Sequence, residues 1–414
     1  MTEAGDVGPG PRAALSTAPA AAAHAAVAAA FREEAGHLIA TLVRSLGDFD
    51  LAEEGVQEAV VQALVHWPRD GIPTRPAAWL LTVARRRALN RLSRDARYAA
   101  KLAELVREPA PEPDDRLQLI FTCCHPALRR EWQVALTLRA VFGFTTGEIA
   151  RAFVASEEAV AQRIVRAKRK IASAGIPYRM PGPEELSDRL SEVLAVLYLL
   201  FNEGHLATLG SGWRRDLSED ALWLTGLLCR LLPGEPEALG LLALMRLHLA
   251  RADARSTETG DLVRLADQDR SLWDHESIRE AVALIERAAA MRGAGPYQVE
   301  AAIAACHAEA PSFESTDWMQ VVALYDLLLE LEPSPVVRLN RALAVWRVAG
   351  AQAALRELDG LAGELDGYHI YHAARGELLS EMGRDEQARA ARLQAHDLTH
   401  NPAERALLRQ RLLL

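Results

Sequence analysis

Two cation-rich stretches and one carboxylate-rich stretch carry the chemistry of this 414-residue chain. From Thr145 to Ile171 the sequence reads TTGEIARAFVASEEAVAQRIVRAKRKI, which places Arg163, Arg166, Lys168, Arg169 and Lys170 within eight residues. Cations so dense neutralise phosphates, and polar residues ahead of them on one helix can face base edges in a major groove. Earlier, PAAWLLTVARRRALNRLSRDAR carries Arg85, Arg86, Arg87, Arg91, Arg94 and Arg97, with Asp95 the only acid among them. Arginines so close repel one another unless a polyanion lies nearby. The third stretch, DLAEEGVQEAVVQALVHW, has the opposite sign, with Asp50, Glu53, Glu54 and Glu58 around Gln57. Singly, each has a plainer explanation: most charge runs are solvated helix faces, and short helix pairs with a basic end occur in proteins that bind nothing.

Other chemistries find less support. Cys123, Cys124 and His125 stand together in FTCCHP, but a structural zinc needs four ligands, usually in spaced pairs, and no second pair is near. They read as buried thiols in a helix beside a histidine. Four cysteines in the whole chain also argue against a disulfide scaffold. His369 and His372 lack a third ligand nearby and read as ordinary helix residues. No phosphate loop, activated nucleophile or catalytic carboxylate pair stands out after Leu186, so neither an enzyme nor a metal or cofactor protein is expected.

The elements that must hold the charged stretches are helices. Ile149, Ala150 and Phe153, then Val160, Ile164 and Val165, recur at helical spacing on either side of a turn at Val154, Ala155 and Ser156. Ser156 is a good N-cap, and Glu157 and Glu158 in the first turn suit the helix dipole. In the acidic stretch Val56, Val60, Val61 and Leu64 are available to pack inward, and in the arginine helix Trp79, Leu80, Val83 and Leu89 supply the apolar positions. Between those two helices, HWPRDGIPTRPAAW reads as a loop enforced by Pro68, Gly71, Pro73 and Pro76. With aromatics at 6% and few alternating β-branched runs, the whole chain is expected to be all-α. No apolar run is long enough to span a membrane and no basic segment precedes the Ala-rich start, so a cytoplasmic protein is expected.

Composition divides the chain. A disordered lead is expected over 1–26, a helical block over 27–97, and a linker over 98–115 that includes the Pro- and acid-rich REPAPEPDD. A second helical block follows over 116–175, a break over 176–186, and stacked helices over 187–414. Gly350 and Gly383 each end a helix-like run, and their separation of 33 is close to the period of tetratricopeptide helix pairs. Charge follows the same division: residues 1–183 hold 24 Lys+Arg against 20 Asp+Glu, a balance of +4, whereas 184–414 hold 23 against 36, or −13. The front can face a polyanion; the back cannot easily do so.

The joint order of these features carries a resemblance. The acidic DLAEEGVQEA helix, a Pro/Gly loop, AWLLTVARRRALNRLSR, a linker, and a helix-turn-helix ending VAQRIVRAKRKI resemble region 2 followed by region 4 of a bacterial extracytoplasmic-function (ECF) sigma factor of the sigma-70 family. The likeness covers about residues 27–175. DDRLQLIFTCCHPAL and LSEVLAVLYLLFNEGHLAT are similar to the subgroup that carries a long tetratricopeptide-like C-terminal extension.

The resemblance implies a sigma factor that binds core RNA polymerase and directs transcription initiation at promoter DNA. Asp50, Glu53, Glu54, Gln57 and Glu58 would dock on the clamp helices of the largest polymerase subunit. The loop from Trp67 to Arg75 and the helix after it would melt and read the −10 element. There Arg85, Arg86, Asn90, Arg91 and Arg94 would contact backbone or bases, and Trp79 would line a base pocket or support the loop from below. The helix from Ser156 would read the −35 element, with Glu157, Glu158, Ala161 and Gln162 at base edges and Arg163, Arg166, Lys168 and Arg169 on phosphates. The extension would gate activity through contacts within the chain or with a signalling protein. Its FNEG segment, Phe201 to Gly204, reads as a helix end or as a docking edge. The rival readings are a one-component helix-turn-helix regulator with a helical-repeat sensor, and a scaffold whose basic helices are merely solvated.

Overall fold

The computed structural model describes residues 18–94, 116–153, 155–206, 215–257, 261–399 and 401–412, which are helical with turns, loops and one isolated bridge. They form two compact units, 1–193 and 194–414.

In the first unit α1 (Ala18–Leu46), α2 (Phe49–Asp70) and α3 (Pro76–Arg94) pack around Leu38, Leu42, Val56, Leu80 and small residues such as Ala52, Ala59, Ala84 and Ala88. The alanines and Gly55 let α2 and α3 approach closely; a Cβ at position 55 would meet the Ala84 carbonyl oxygen at 2.9 Å. Asp48 caps α2, its side chain accepting from the backbone N–H groups of Asp50 and Leu51 at 2.8 and 3.0 Å. Two boundaries differ from the sequence expectation. Helix α1 already begins at Ala18, with Ala23 buried, so 18–26 is not part of a disordered lead; 1–17 lies outside the described residues. Pro68 does not start the loop but sits in the last turn of α2, which ends at Gly71. So near the C-terminus, Pro costs one backbone hydrogen bond, and burial of Trp67 on that turn outweighs it.

After residues 95–115, which are outside the description and contain the whole of the expected linker over 98–115, come α4 (Arg116–Cys123), α5 (Arg130–Ala140), α6 (Thr146–Ala152) and α7 (Glu157–Ser173). The helix-turn-helix is capped at both starts. Thr145 and Glu148 form a reciprocal capping box on α6, and Ser156 Oγ accepts from Ala159 N at 3.2 Å on α7. Cys123 and Cys124 are buried, with Cys124 Sγ 3.5 Å from Thr137 Oγ1. Burial pushes the Cys124 thiol up to about 12, so it is a packing group at neutral pH. The expected break over 176–186 is only partly irregular: α8 (Pro183–Leu206) starts inside it, and Tyr178 ties it down by donating to the Ala40 carbonyl at 3.1 Å.

Helix α8 also contains FNEG, which lies in the last two turns of its described length rather than in a separate turn. Phe201 is fully buried, and packing of that size overrides the roughly 1 kcal/mol helix penalty of a glycine. The second unit continues as helix pairs: α9 (Arg215–Leu231) with α10 (Pro236–Leu249), α11 (His275–Ala290) with α12 (Pro296–Glu309), and α13 (Trp318–Leu331) with α14 (Pro335–Ala349). Then follow α15 (Ala351–Asp359), α16 (Ala362–Leu365), the pair α17 (His369–Glu381) and α18 (Asp385–Leu398), and α19 (Pro402–Leu412). Gly350 and Gly383 follow α14 and α17 with φ of 83° and 71°, the left-handed conformation that ends a helix at least cost with glycine. Glu237 stitches neighbouring pairs together by accepting from the N–H groups of Tyr297 and Gln298 at the start of α12, both at 3.1 Å.

Candidate nucleic-acid and polymerase interface

On α7 the buried positions Val160, Ile164, Ala167 and Ile171 fix the orientation, at i, i+4, i+7 and i+11. Glu158, Ala161, Gln162, Val165, Arg166 and Arg169 are consequently exposed as one stripe along the opposite side. Glu157 is exposed as well but leans over Gly147 of α6, where a Cβ would meet its carboxylate at 2.8 Å. Two residues expected on phosphates point elsewhere. Arg163 is half-buried with Nε 3.6 Å from Glu131 of α5, and Lys168 turns inward to α2.

Helix α3 presents Arg86, Asn90 and Arg91 to solvent, with Arg85 half-buried; the side chain of Arg94 lies outside the description. Arg85 and Arg86 line a cavity of about 360 Å³ with Thr41, Ser45, Thr82 and Leu89 between α1 and α3. Trp79 packs edge-on against buried Trp67, ring centroids 5.6 Å apart. This contact ties the start of α3 to the last turn of α2. Arg91 also reaches Glu54 of α2 at 3.1 Å, and Arg87 reaches Glu58 at 3.6 Å, both pairs being open to water and therefore weak.

The acidic helix is divided by what faces it. Gln57 and Glu58 are exposed, as are Val61, Leu64 and Val65. Val61 and Leu64 were expected in the core, but they share the face of Glu54, Gln57 and Glu58 at helical spacing, and Val61 is 56% exposed. The apolar half of this face is what the sequence reading missed. The signal was there: 57, 61, 64 and 65 fall on one side once Ala52, Val56, Ala59 and Ala63 are recognised as the buried side. At the other end, Lys168 Nζ lies 2.7 Å from Asp50 Oδ1 and 2.6 Å from Glu53 Oε2, and Arg139 of α5 closes on Glu53 from the same side. Lys168 and Glu53 side chains are only 13% and 16% exposed. Burial pulls the Lys168 ammonium down, but the Glu53 charge and hydrogen bonds to Asp50 and Glu53 outweigh it and hold its pKa above the ordinary lysine value. The clasp therefore joins the expected polymerase-docking helix to the expected DNA-reading helix.

The fold and this site define an all-α DNA-binding protein with a helix-turn-helix. Residues 30–98 match sigma-70 region 2, residues 118–171 match sigma-70 region 4, and residues 189–289 match a family of unknown function, DUF6596. An uncharacterized protein of Rhizobium meliloti (strain 1021) is 44% identical over 387 residues, covering 90% of this chain and 91% of the relative. The chain belongs to the sigma-70 family, as an ECF-like sigma factor with a C-terminal extension. Among the described residues no helix is long and apolar enough to cross a membrane, and no group of three or more His, Cys, Asp or Glu converges as metal ligands.

Proposed function

We propose that this chain is an ECF-type sigma factor that binds core RNA polymerase through α2, reads the −10 element with α3 and its preceding loop, and reads the −35 element with α7. In this reading regions 2 and 4 occupy 27–97 and 116–175, and the extension from 187 modulates their activity alone or with a signalling protein. The observation that carries it is the separation of faces: α7 exposes a polar and cationic stripe while α2 exposes an amphipathic one. A helix that mixes Gln57 and Glu58 with Val61, Leu64 and Val65 suits a protein partner, whose apolar contacts supply affinity and whose basic groups are selected by the carboxylates. The Lys168 clasp occupies Asp50 and Glu53 in the free chain, so docking through them exchanges an internal cation for an external one. Sigma activity would then require opening of the clasp, which also frees Lys168 for phosphate.

Run-off transcription with bacterial core polymerase on a promoter library tests the reading. Protein-dependent transcripts are expected from the intact chain, and at least tenfold fewer from a variant with Glu54, Gln57 and Glu58 changed to Ala. Specific DNA binding without polymerase, and no transcript, would instead make the chain a one-component regulator.

A further inference from the structure

The extension contains a long connection made of three short 3-10 turns (Ala252–Ala254, Leu265–Asp267 and Arg270–Leu272) and irregular backbone. Between α10 and α11, residues 250–274 read ARADARSTETGDLVRLADQDRSLWD. The described part closes on itself: Val263 N donates to Arg255 O at 2.8 Å, Ser256 and Leu262 form a bridge, and Asp274 N donates to Ala250 O at 2.9 Å. Closed loops of this length are uncommon inside compact domains and usually carry function.

Its charges are arranged against ordinary expectation. Three acids of the loop are committed elsewhere. Asp267 pairs with Arg264 at 2.7 Å, Asp269 accepts from Ser271 N and Oγ, and Asp274 caps α11 through Glu276 N and Ser277 N. Arg251 and Arg270 turn the other way, towards Trp273, which is 3% exposed. Arg270 stacks on that indole at 4.3 Å and donates Nη1 to the carbonyls of His307 and Ala310 at the end of α12. Arg251 lies 5.9 Å from the same ring and reaches His248 Nδ1 at 3.3 Å. Among the described residues no carboxylate comes within ion-pair distance of Arg251, Arg255 or Arg270; the charge of Glu314 acts on Arg270 only from further away. Arg270 is accounted for as a helix clamp. Arg251 and Arg255 are not.

Burial, followed by the neighbouring charges of Arg255 and Arg270, pulls Arg251 down to about 10, and burial lowers Arg255. Burial with the charges of Arg251 and Arg270 pulls His307 down to about 4, so its ring is neutral at physiological pH. The indole N–H of Trp273, Nδ1 of His307 and Nη2 of Arg270 are buried without a partner among the described residues. Such groups, and half-buried guanidiniums gathered without a carboxylate, are costly unless something satisfies them. A negatively charged group with several acceptor oxygens is the kind of partner such donors call for.

We propose that this loop is a binding site for a small molecule bearing an oxyanion, phosphate or carboxylate, held by Arg251 and Arg255 with Trp273 and His307 as neutral partners. Beside Arg270 and Trp273 a groove of about 490 Å³, lined also by Ile278, Val282 and Ala308 with Glu286 and Glu309 at its polar side, has room for the remainder of the ligand. The site gives the family of unknown function that matches residues 189–289 a ligand class, and it stands independently of the polymerase reading.

The test is the thermal unfolding midpoint and titration calorimetry of the intact chain with inorganic phosphate and, separately, acetate, against sodium chloride at matched ionic strength. A saturable rise with phosphate or acetate beyond that of chloride is expected, with affinity about tenfold weaker in Arg255→Gln and Arg251→Gln. Arg384→Gln, an exposed cation outside both the loop and the groove, should leave it unchanged. Should a glutamine variant fail to fold, Arg255→Lys decides, since it keeps the charge but loses the planar fork. An equal response to chloride, which is mere screening of a cation cluster, overturns the proposal. So does undiminished phosphate and acetate binding in the Arg255 variants.

Discussion

Lys168 links two helices whose expected partners are different molecules, and its environment makes the link testable. Glu53 keeps Arg139 if Lys168 is removed, so the loss is smaller than for a carboxylate left alone. Lys168→Met is expected to cost about 1–2 kcal/mol in urea unfolding. Because the variant leaves Asp50 unpaired on α2, affinity for core polymerase should rise several-fold; unchanged or weaker affinity would show that α7 does not compete for that face. Glu300 makes a second case. Burial, then the charge of Glu332, raises its carboxyl to about 7, within a cluster of Tyr198 on α8, Glu237 on α10, Tyr297 beside it on α12, Tyr325 on α13 and Glu332. A folded pKa above the unfolded one means that its contribution is fully present below about 4.5 and is lost as pH rises through about 7. Glu300→Gln should therefore match the native chain near pH 4.5 and exceed it by about 2 kcal/mol above pH 7. Denaturant midpoints at several pH values would reveal a constant difference instead if the effect were only packing.

At the scale of elements, α2 shows what sequence could and could not supply. Its charged positions and the capped helix-turn-helix after it were legible because local rules decide them: Ser156 can cap only the helix that follows, and Gly350 and Gly383 can end helices without strain. Tertiary competition was not legible. Pro68 stays helical because Trp67 is buried, FNEG stays helical because Phe201 is, and Val61 and Leu64 stay in water because alanines already fill the interface with α3. Lys168 and Arg163 were likewise drawn into ion pairs with residues far away in sequence, which periodicity does not register. The exposed apolar stripe of α2 then has a consequence for binding. Val61→Asp with Val65→Asp should leave the unfolding midpoint nearly unchanged, since surface substitutions usually stay within about 0.5 kcal/mol, yet cut polymerase-dependent transcription at least tenfold. Retained transcription would move the docking face away from this side of α2.

For the whole molecule the division of charge matters more than the net −9. The −13 carried by residues 184–414 sets up a field that repels a polyanion, and it opposes approach to the +4 front wherever the two lie within a screening length. Such a field is screened over about 8 Å at physiological ionic strength, whereas a direct contact that hides the DNA-reading stripe is not abolished by screening alone. The two can be told apart by exchanging exposed acids of the extension that make no clamp or cap, such as Glu330 and Asp385, for the corresponding amides. If the extension acts through its field, the association rate with promoter DNA should rise several-fold at about 0.05 M salt and converge with that of the native chain at about 0.3 M. A difference that persists at the higher salt would mean that the extension touches the DNA-reading surface or its polymerase partner. No difference at either salt would confine the influence of the extension to specific binding, where the arginine loop between α10 and α11 is the first place to look.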